Sequence, residues 1–84
     1  MKIVWDEPKR QTNIAKHGMD FAELTPDFFR FATIEAAKQD RLLAIGHLNG
    51  EMVVAVIFRP LGAEAFSVIS MRPANEKERR RAHG

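Results

Sequence analysis

The sequence has no cysteine, no tyrosine and no long apolar run in its 84 residues. Without cysteine, neither a disulfide framework nor a thiolate metal site can form, which fits a reducing cytoplasm. No apolar stretch approaches the roughly 18 residues of a membrane span, and the first residues lack the apolar core of a signal peptide. We therefore expect a cytoplasmic protein that does not enter a membrane.

The composition predicts one folded domain over residues 1–84 with an unevenly charged surface. Hydrophobic residues make up 45% of the chain and charged residues 29%, and the net charge is only +2. Residues 72–84 carry five basic and two acidic side chains, a net +3, whereas residues 21–71 carry four basic and six acidic ones, a net −2. The basic end indicates an anionic partner such as RNA, although a solvated helix of alternating charge has the same composition.

The start of the chain predicts a strand and then a helix. Residues 2–5 are mostly β-branched or aromatic, as in a short strand. Asp6 is a suitable N-cap, and Pro8 suits the first turn of a helix because its missing N–H would be unpaired there. Gly18 offers a left-handed end, so the helix should run to about His17.

The next segment predicts a broken second helix. Asp20 is followed three residues later by Glu23, which is a capping-box pattern. The Thr25-Pro26 pair should break or kink this helix, because a residue before proline avoids helical angles. Three phenylalanines that follow are expected in the core: Phe28, Phe29 and Phe31. Residues 32–37 fit both a short strand and a helix.

The second half predicts an antiparallel meander. Strands are expected over 41–47, 52–58 and 65–71, because each segment is apolar and bounded by turn residues. Asn49-Gly50 is a strong hairpin signal, and pairing residue 48 with 51 would place Arg41 opposite Phe58. A last helix should begin at Asn75. The fold class is therefore α+β, with an antiparallel sheet of about four strands, two N-terminal helices packed on it and a short C-terminal helix.

Three ordered stretches resemble one known family. They are KIVWDEPKRQTNIAKHGMDF at the start, DRLLAIGHLNGEMVVAVIFR in the middle and SVISMRPANEKER near the end. Together they resemble the BrnT family of type II toxins. That family typically has Trp-Asp after its first strand, Lys-His-Gly followed by an apolar residue and Asp-Phe, and Ile-Ser-x-Arg-x-Ala before Glu-Arg.

The resemblance implies a RelE-like fold and a small ribonuclease that cuts RNA and arrests growth. It also implies an antitoxin partner, BrnA, which carries a ribbon-helix-helix domain, so that DNA would be bound only through the partner. The antitoxin could cover the basic surface with acidic segments or add a strand to the sheet. This chain differs from the family pattern in lacking tyrosine after the final Glu-Arg and in having Pro73 after Arg72.

Metal-independent RNA cleavage needs a proton acceptor, a proton donor and cations around the phosphate. Arginine suits the last role because its planar group bonds two oxygens and stays charged. Five residues are candidates for the catalytic site: Arg72, Arg41, Arg59, Lys16 and His17. Three of them also have a plainer interpretation: Arg72 could pair with Glu64 or Glu76, and Lys16 and His17 could simply complement the dipole at their helix end.

Two further arginines of the last helix, Arg79 and Arg80, are candidates for sequence-independent phosphate contacts, or for a solvated face. No metal or other cofactor is expected, because three histidines without cysteine or paired carboxylates make no ligand set. The rival function is a catalytically degenerate module that binds an antitoxin or nucleic acid without cutting, which the missing tyrosine favours. A plain dimerising domain is a weaker possibility.

Overall fold

The computed structural model describes residues 1–50 and 52–83. The strands are β1 (Lys2–Trp5), β2 (Thr33–Ala36), β3 (Leu42–Leu48), β4 (Met52–Leu61) and β5 (Ala65–Pro73). The helices are α1 (Glu7–His17), α2 (Pro26–Phe31) and α3 (Glu76–His83), with one 3₁₀ turn over Phe21–Glu23. Within these described ranges, no helix is long and apolar enough to cross a membrane.

The strands form a single sheet in the order β1-β5-β4-β3-β2. The α+β class and the C-terminal helix are confirmed, but the expectation of about four antiparallel strands is wrong in two respects. The ambiguous segment forms β2, so the described residues build five strands. In addition, β1 pairs parallel to β5, with Lys2 beside Ala65 and Trp5 beside Val68. A parallel neighbour needs a long crossover, and the rest of the chain between β1 and β5 supplies it.

One face of the sheet, here called the core face, packs against the 3₁₀ turn and α2. The core between them includes the fully buried Phe58, Val56 and Met71 of the sheet and Phe21 of the 3₁₀ turn. Phe28 and Phe29 are buried there, as predicted from the sequence.

Phe31 is 79% exposed, so its expected place in the core is wrong. Phe31 follows the buried Phe29 by two residues on α2, and side chains two apart do not share a helix face. The guanidinium of Arg30 lies 5.6 Å from the centre of the Phe31 ring.

The hairpin between β3 and β4 corrects the predicted register by one residue. Leu48 pairs with Met52 and Leu42 with Phe58, so three residues instead of two separate the paired ends of the strands. A slip of one residue reverses the face of every side chain in a strand. In the observed register Leu42 and Phe58 share the core face, and Arg41, which precedes Leu42, belongs to the opposite face. We call that opposite side the second face.

The helix boundaries follow local signals. Gly18 has a φ of 67°, and its N–H donates to the Ile14 carbonyl over 2.8 Å. Thr25 caps α2 through the Phe28 N–H, and the break predicted there is confirmed. Asp6 occupies the N-cap position of α1, but its side chain accepts no capping hydrogen bond, contrary to expectation. The second predicted helix is reduced to the 3₁₀ turn, whose Ala22 N–H bonds the Asp20 carboxylate.

An ion pair ties α1 to the chain that follows it. Arg10 donates to both carboxylate oxygens of Asp20, over 2.7 and 2.8 Å. The arginine hydrogen bonds lower the pKa of Asp20 to about 2. This pair holds α1 against the segment that leads into the 3₁₀ turn.

Candidate functional site

A β-bulge in β5 shapes the second face. Ser70 pairs with Ile57 of β4, but the next pair is Val68 with Phe58, so Ile69 is an extra residue without a partner. In a regular strand, consecutive side chains point to opposite faces. Here both Ile69 and Ser70 line the same groove. Bulges are frequent beside active sites because they redirect side chains in this way.

Asn13 fastens α1 to the strand just after the bulge. β1 pairs only with residues 65–68 of β5, so the Met71 N–H at that edge has no strand partner there. The Asn13 side chain accepts a hydrogen bond from this N–H and donates one to the Met19 carbonyl, each over 3.0 Å. Asn13 is only 5% exposed. The two bonds therefore fix the distance between α1 and the bulge.

We expect Asn13→Ala to lower the free energy of unfolding by about 2 kcal/mol, because it leaves the Met71 N–H and the Met19 carbonyl without partners in a buried place. Urea denaturation measures the change. Gln11→Ala, which removes an exposed amide from the same helix, should cost less than about 0.5 kcal/mol. Equal effects of the two substitutions would contradict the role given to Asn13.

Between α1 and β5 lies a groove of about 440 Å³. Its lining residues are Pro8, Lys9, Thr12, Asn13, Lys16, His17, Arg41, Ile69 and Ser70. Three of these carry a permanent positive charge, and none of them is acidic. The groove is therefore suited to an anion, and it contains three of the five residues predicted from the sequence: Lys16, His17 and Arg41.

A strained turn presents Arg41 to the groove. Gln39 and Asp40 both have positive φ angles, 61° and 60°, which non-glycine residues rarely adopt. The Arg41 N–H bonds the Lys38 carbonyl across this turn, over 3.2 Å. The Nε of Arg41 is buried and has no hydrogen-bond partner in residues 1–50 and 52–83. A buried donor left unpaired costs about 1–3 kcal/mol, and a bound anion would remove that cost.

Lys16 and His17 form the last turn of α1, directly before the left-handed Gly18. Both side chains are exposed, and neither makes an ion pair with any described residue. Their interaction with the helix dipole, the plainer interpretation, is compatible with a role in the groove. A cation without a carboxylate partner remains available for a ligand.

Arg72 lies on the same face but in a different environment. Arg72 pairs with Ala55 of β4. Ala55 lies four residues along the strand from Arg59, which is a distance of roughly 13 Å. The Arg72 guanidinium donates to both oxygens of Glu78, over 2.7 and 2.8 Å. The carboxylate partner is thus Glu78, and not the Glu64 or Glu76 considered from the sequence. The Arg72 hydrogen bonds lower the pKa of Glu78, and those of Glu78 raise the pKa of Arg72.

The start of α3 is built around the same glutamate. Asn75 accepts a hydrogen bond from the Glu78 N–H over 2.8 Å, and Glu78 accepts one from the Asn75 N–H over 3.0 Å. This capping box confirms the predicted start of the helix. The Glu78 side chain is only 6% exposed, so the alternative of a wholly solvated charged helix does not hold at this residue. Ala82 packs against Leu43, Ile45 and Ala55 of the sheet.

The other arginines predicted from the sequence lie outside the groove. Arg59 is exposed on β4, where it pairs with Ser67. Arg79 is exposed on α3, and Arg80 pairs with Glu76 over 2.5 Å with both side chains 71% exposed. Such an exposed pair contributes little to stability. The structure brings Lys16, His17 and Arg41 together, and it does not bring Arg72, Arg59, Arg79 or Arg80 into the same groove.

Sequence reasoning missed four polar residues that line the groove: Lys9, Thr12, Asn13 and Ser70. The first three share a helical face with Lys16, because residues three, four and seven apart are neighbours on a helix. That spacing was available in the sequence. Ser70 could not have been found, because its direction depends on the bulge.

Comparisons with known proteins identify the family that this chain resembles. The sequence model of a family described as the ribonuclease toxin BrnT of type II toxin-antitoxin systems matches residues 5–78. The crystal structure of the Brucella abortus ribonuclease toxin BrnT is 63% identical to this chain, with a TM-score of 0.85. The similarity covers 90% of this chain and 99% of that one. The curated proteins gave no significant match.

Proposed function

The chain belongs to the BrnT family, as a ribonuclease toxin of a type II toxin-antitoxin system, and we propose that it cuts RNA in the groove between α1 and β5. The observation that carries this assignment is the set of cations in the groove. Lys9, Lys16 and Arg41 line it without a carboxylate, whereas Arg10, Arg72, Arg80 and Arg81 are each paired with an acidic side chain. Charges left unpaired in a concave site are suited to a phosphodiester.

The proposed reaction is transesterification. The 2′-oxygen forms a bond to phosphorus while the bond from phosphorus to the 5′-oxygen breaks. His17 takes part in proton transfer, because imidazole accepts and donates protons near neutral pH. Arg41 binds the non-bridging oxygens through its planar group, and Lys16 neutralises the charge that builds up on them. A cyclic phosphate and a 5′-hydroxyl are the expected ends.

The remaining arginines are assigned supporting roles. Arg59 lies on the same face beyond Ile57, and we propose that it contacts the RNA next to the cut. Arg79 and Arg80 would contact more distant phosphates, independently of sequence. Arg72, whose guanidinium is already bound at both ends by Glu78, is proposed as a positioning residue that holds α3 on the sheet.

The partner we propose is an antitoxin with a ribbon-helix-helix DNA-binding domain, similar to BrnA, in the cytoplasm. An acidic antitoxin segment bound in the groove would neutralise the same cations that bind RNA. The antitoxin would then inhibit cleavage by occupying the RNA-binding site. DNA would then be contacted only through the antitoxin. The neighbouring reading frame should encode such a protein.

A cleavage assay in EDTA tests the proposal. The purified protein should cut a long unstructured RNA without added metal, and the antitoxin should suppress cutting. Lys16→Ala should slow cleavage by about 10- to 100-fold, because one cation at the phosphate is lost. Lys2→Ala removes the same charge from β1 and should have no effect. RNA binding without fragments would instead support the non-cutting module.

A further inference from the structure

Among the described residues that line the groove, Ser70 carries a hydroxyl without a hydrogen-bond partner. Ser70 is half-buried and lines the groove together with Ile69 and Arg41. The other hydroxyl of the groove is already engaged, because Thr12 Oγ1 donates to the Pro8 carbonyl over 3.0 Å. Ser70 is therefore free to donate to a ligand.

The sheet and the bulge fix the backbone position of Ser70. Ser70 keeps its place in the ladder opposite Ile57, so its backbone is held by the sheet. The next N–H, that of Met71, is held by the buried Asn13. A donor on a rigid strand, supported by a second layer of hydrogen bonds, is positioned more closely than one on a loop.

We propose that Ser70 is a catalytic residue that donates a hydrogen bond from Oγ to a non-bridging oxygen of the scissile phosphate. This inference rests on the assignment of the groove as the cleavage site. Ser70 forms no bond to phosphorus and takes no proton; it binds the oxygen on which charge develops. Arginine and lysine supply the charge there, and the neutral hydroxyl fixes the orientation of the phosphate.

The test compares serine variants in single-turnover cleavage at saturating RNA. Ser70→Ala should lower the cleavage rate by about 10- to 100-fold, because a preorganised donor to the developing charge is lost. Ser67→Ala is the matched control: Ser67 lies on the same strand and face, is half-buried, and is absent from the groove lining. Its rate should stay within about twofold of the parent.

An isosteric pair separates chemistry from packing. Ser70→Thr keeps the hydroxyl and Ser70→Val removes it at nearly the same shape, so the first should retain most of the rate and the second should match Ser70→Ala. Affinity for an RNA blocked by a 2′-deoxy sugar at the cut should change by less than about threefold in all of them. The comparison of Ser70→Thr with Ser70→Val shows whether the hydroxyl contributes to cleavage even if Ser70→Ala folds poorly.

Two results would overturn the inference in different ways. If Ser70→Val cuts as fast as Ser70→Thr while Lys16→Ala is impaired, the groove is still the cleavage site but Ser70 has no part in the reaction. If Lys16→Ala also cuts at the parent rate, the groove itself is the wrong site, and the role of Ser70 falls with it.

Discussion

Arg41→Ala should reduce RNA cleavage by about 10³-fold and leave the fold intact. The loss is large because this side chain is the one arginine that lines the groove, and a fixed donor to a developing phosphate charge is worth about 10²–10³ in rate. The free energy of unfolding should not fall, because the substitution removes the Arg41 Nε, a buried donor without a hydrogen-bond partner among the described residues. Single-turnover cleavage and thermal unfolding measure the two quantities.

Two matched variants make this result interpretable. Arg41→Lys keeps the charge but loses the planar group that bonds two oxygens, so it should recover only part of the rate. Arg30→Ala removes the same charge from α2, where Arg30 lies over the Phe31 ring and away from the groove. It should cut at the parent rate. A parent-like rate for Arg41→Ala would show that the groove does not hold the scissile phosphate.

The parts of this fold that could be predicted from the sequence are the ones decided by near neighbours. Gly18 ends α1 because its own φ is positive, and Asn75 starts α3 because Glu78 lies three residues away. Each depends on residues within one helical turn. The same holds for the break at Thr25, which the following proline imposes.

Features decided by distant parts of the chain could not be predicted in this way. The parallel pairing of Lys2 with Ala65 joins residues far apart in the sequence, and nothing local indicates it. The bulge at Ile69 depends on the pairing register between β5 and β4. The position of Ser70 in the groove therefore could not be predicted from the sequence. Phe31 resembles its neighbours Phe28 and Phe29 in the sequence, but in the structure its side chain on α2 is exposed while theirs are buried.

The candidate site follows the same division. Lys16 and His17 could be proposed from the family motif, yet their nearness to Arg41 depends on α1 lying along β5, which the Asn13 bonds to Met71 and Met19 enforce. Arg72 is a candidate from the sequence mainly because it matches the arginine of the family's Ile-Ser-x-Arg-x-Ala stretch. The carboxylate that binds Arg72 belongs to Glu78 of α3. The burial of Glu78 could not be inferred from the charged composition of that helix.

Arg72 and Glu78 give the second large expected effect, on stability. Arg72→Ala should lower the free energy of unfolding by about 2 kcal/mol, because it leaves a buried carboxylate unpaired; the full cost of breaking a buried pair is reduced because the Arg72 side chain is 36% exposed. The double variant with Glu78→Ala should lose less than the sum of the single losses. Urea denaturation of all four proteins measures this coupling.

The pH dependence gives an independent check. Since Arg72 lowers the pKa of Glu78 from its ordinary 4.5, the pair stabilises the folded protein above that pH, and the contribution is lost as pH falls through the folded pKa. The deficit of Arg72→Ala should therefore be full at pH 7 and shrink below about pH 4.5. A deficit that stays constant across this range would mean that the ion pair is not its cause.

Cleavage by the same variants distinguishes the two roles open to Arg72. If it holds α3 in place, Arg72→Ala and Glu78→Ala should impair cutting to a similar, modest degree, because either change frees the helix that carries Arg79 and Arg80. If instead Arg72 leaves Glu78 to bind the phosphate, Arg72→Ala should abolish cutting and Glu78→Ala should preserve or raise it, since the competing carboxylate is gone. Because Glu78 accepts both guanidinium N–H groups and the Asn75 N–H while nearly excluded from water, we expect the first pattern.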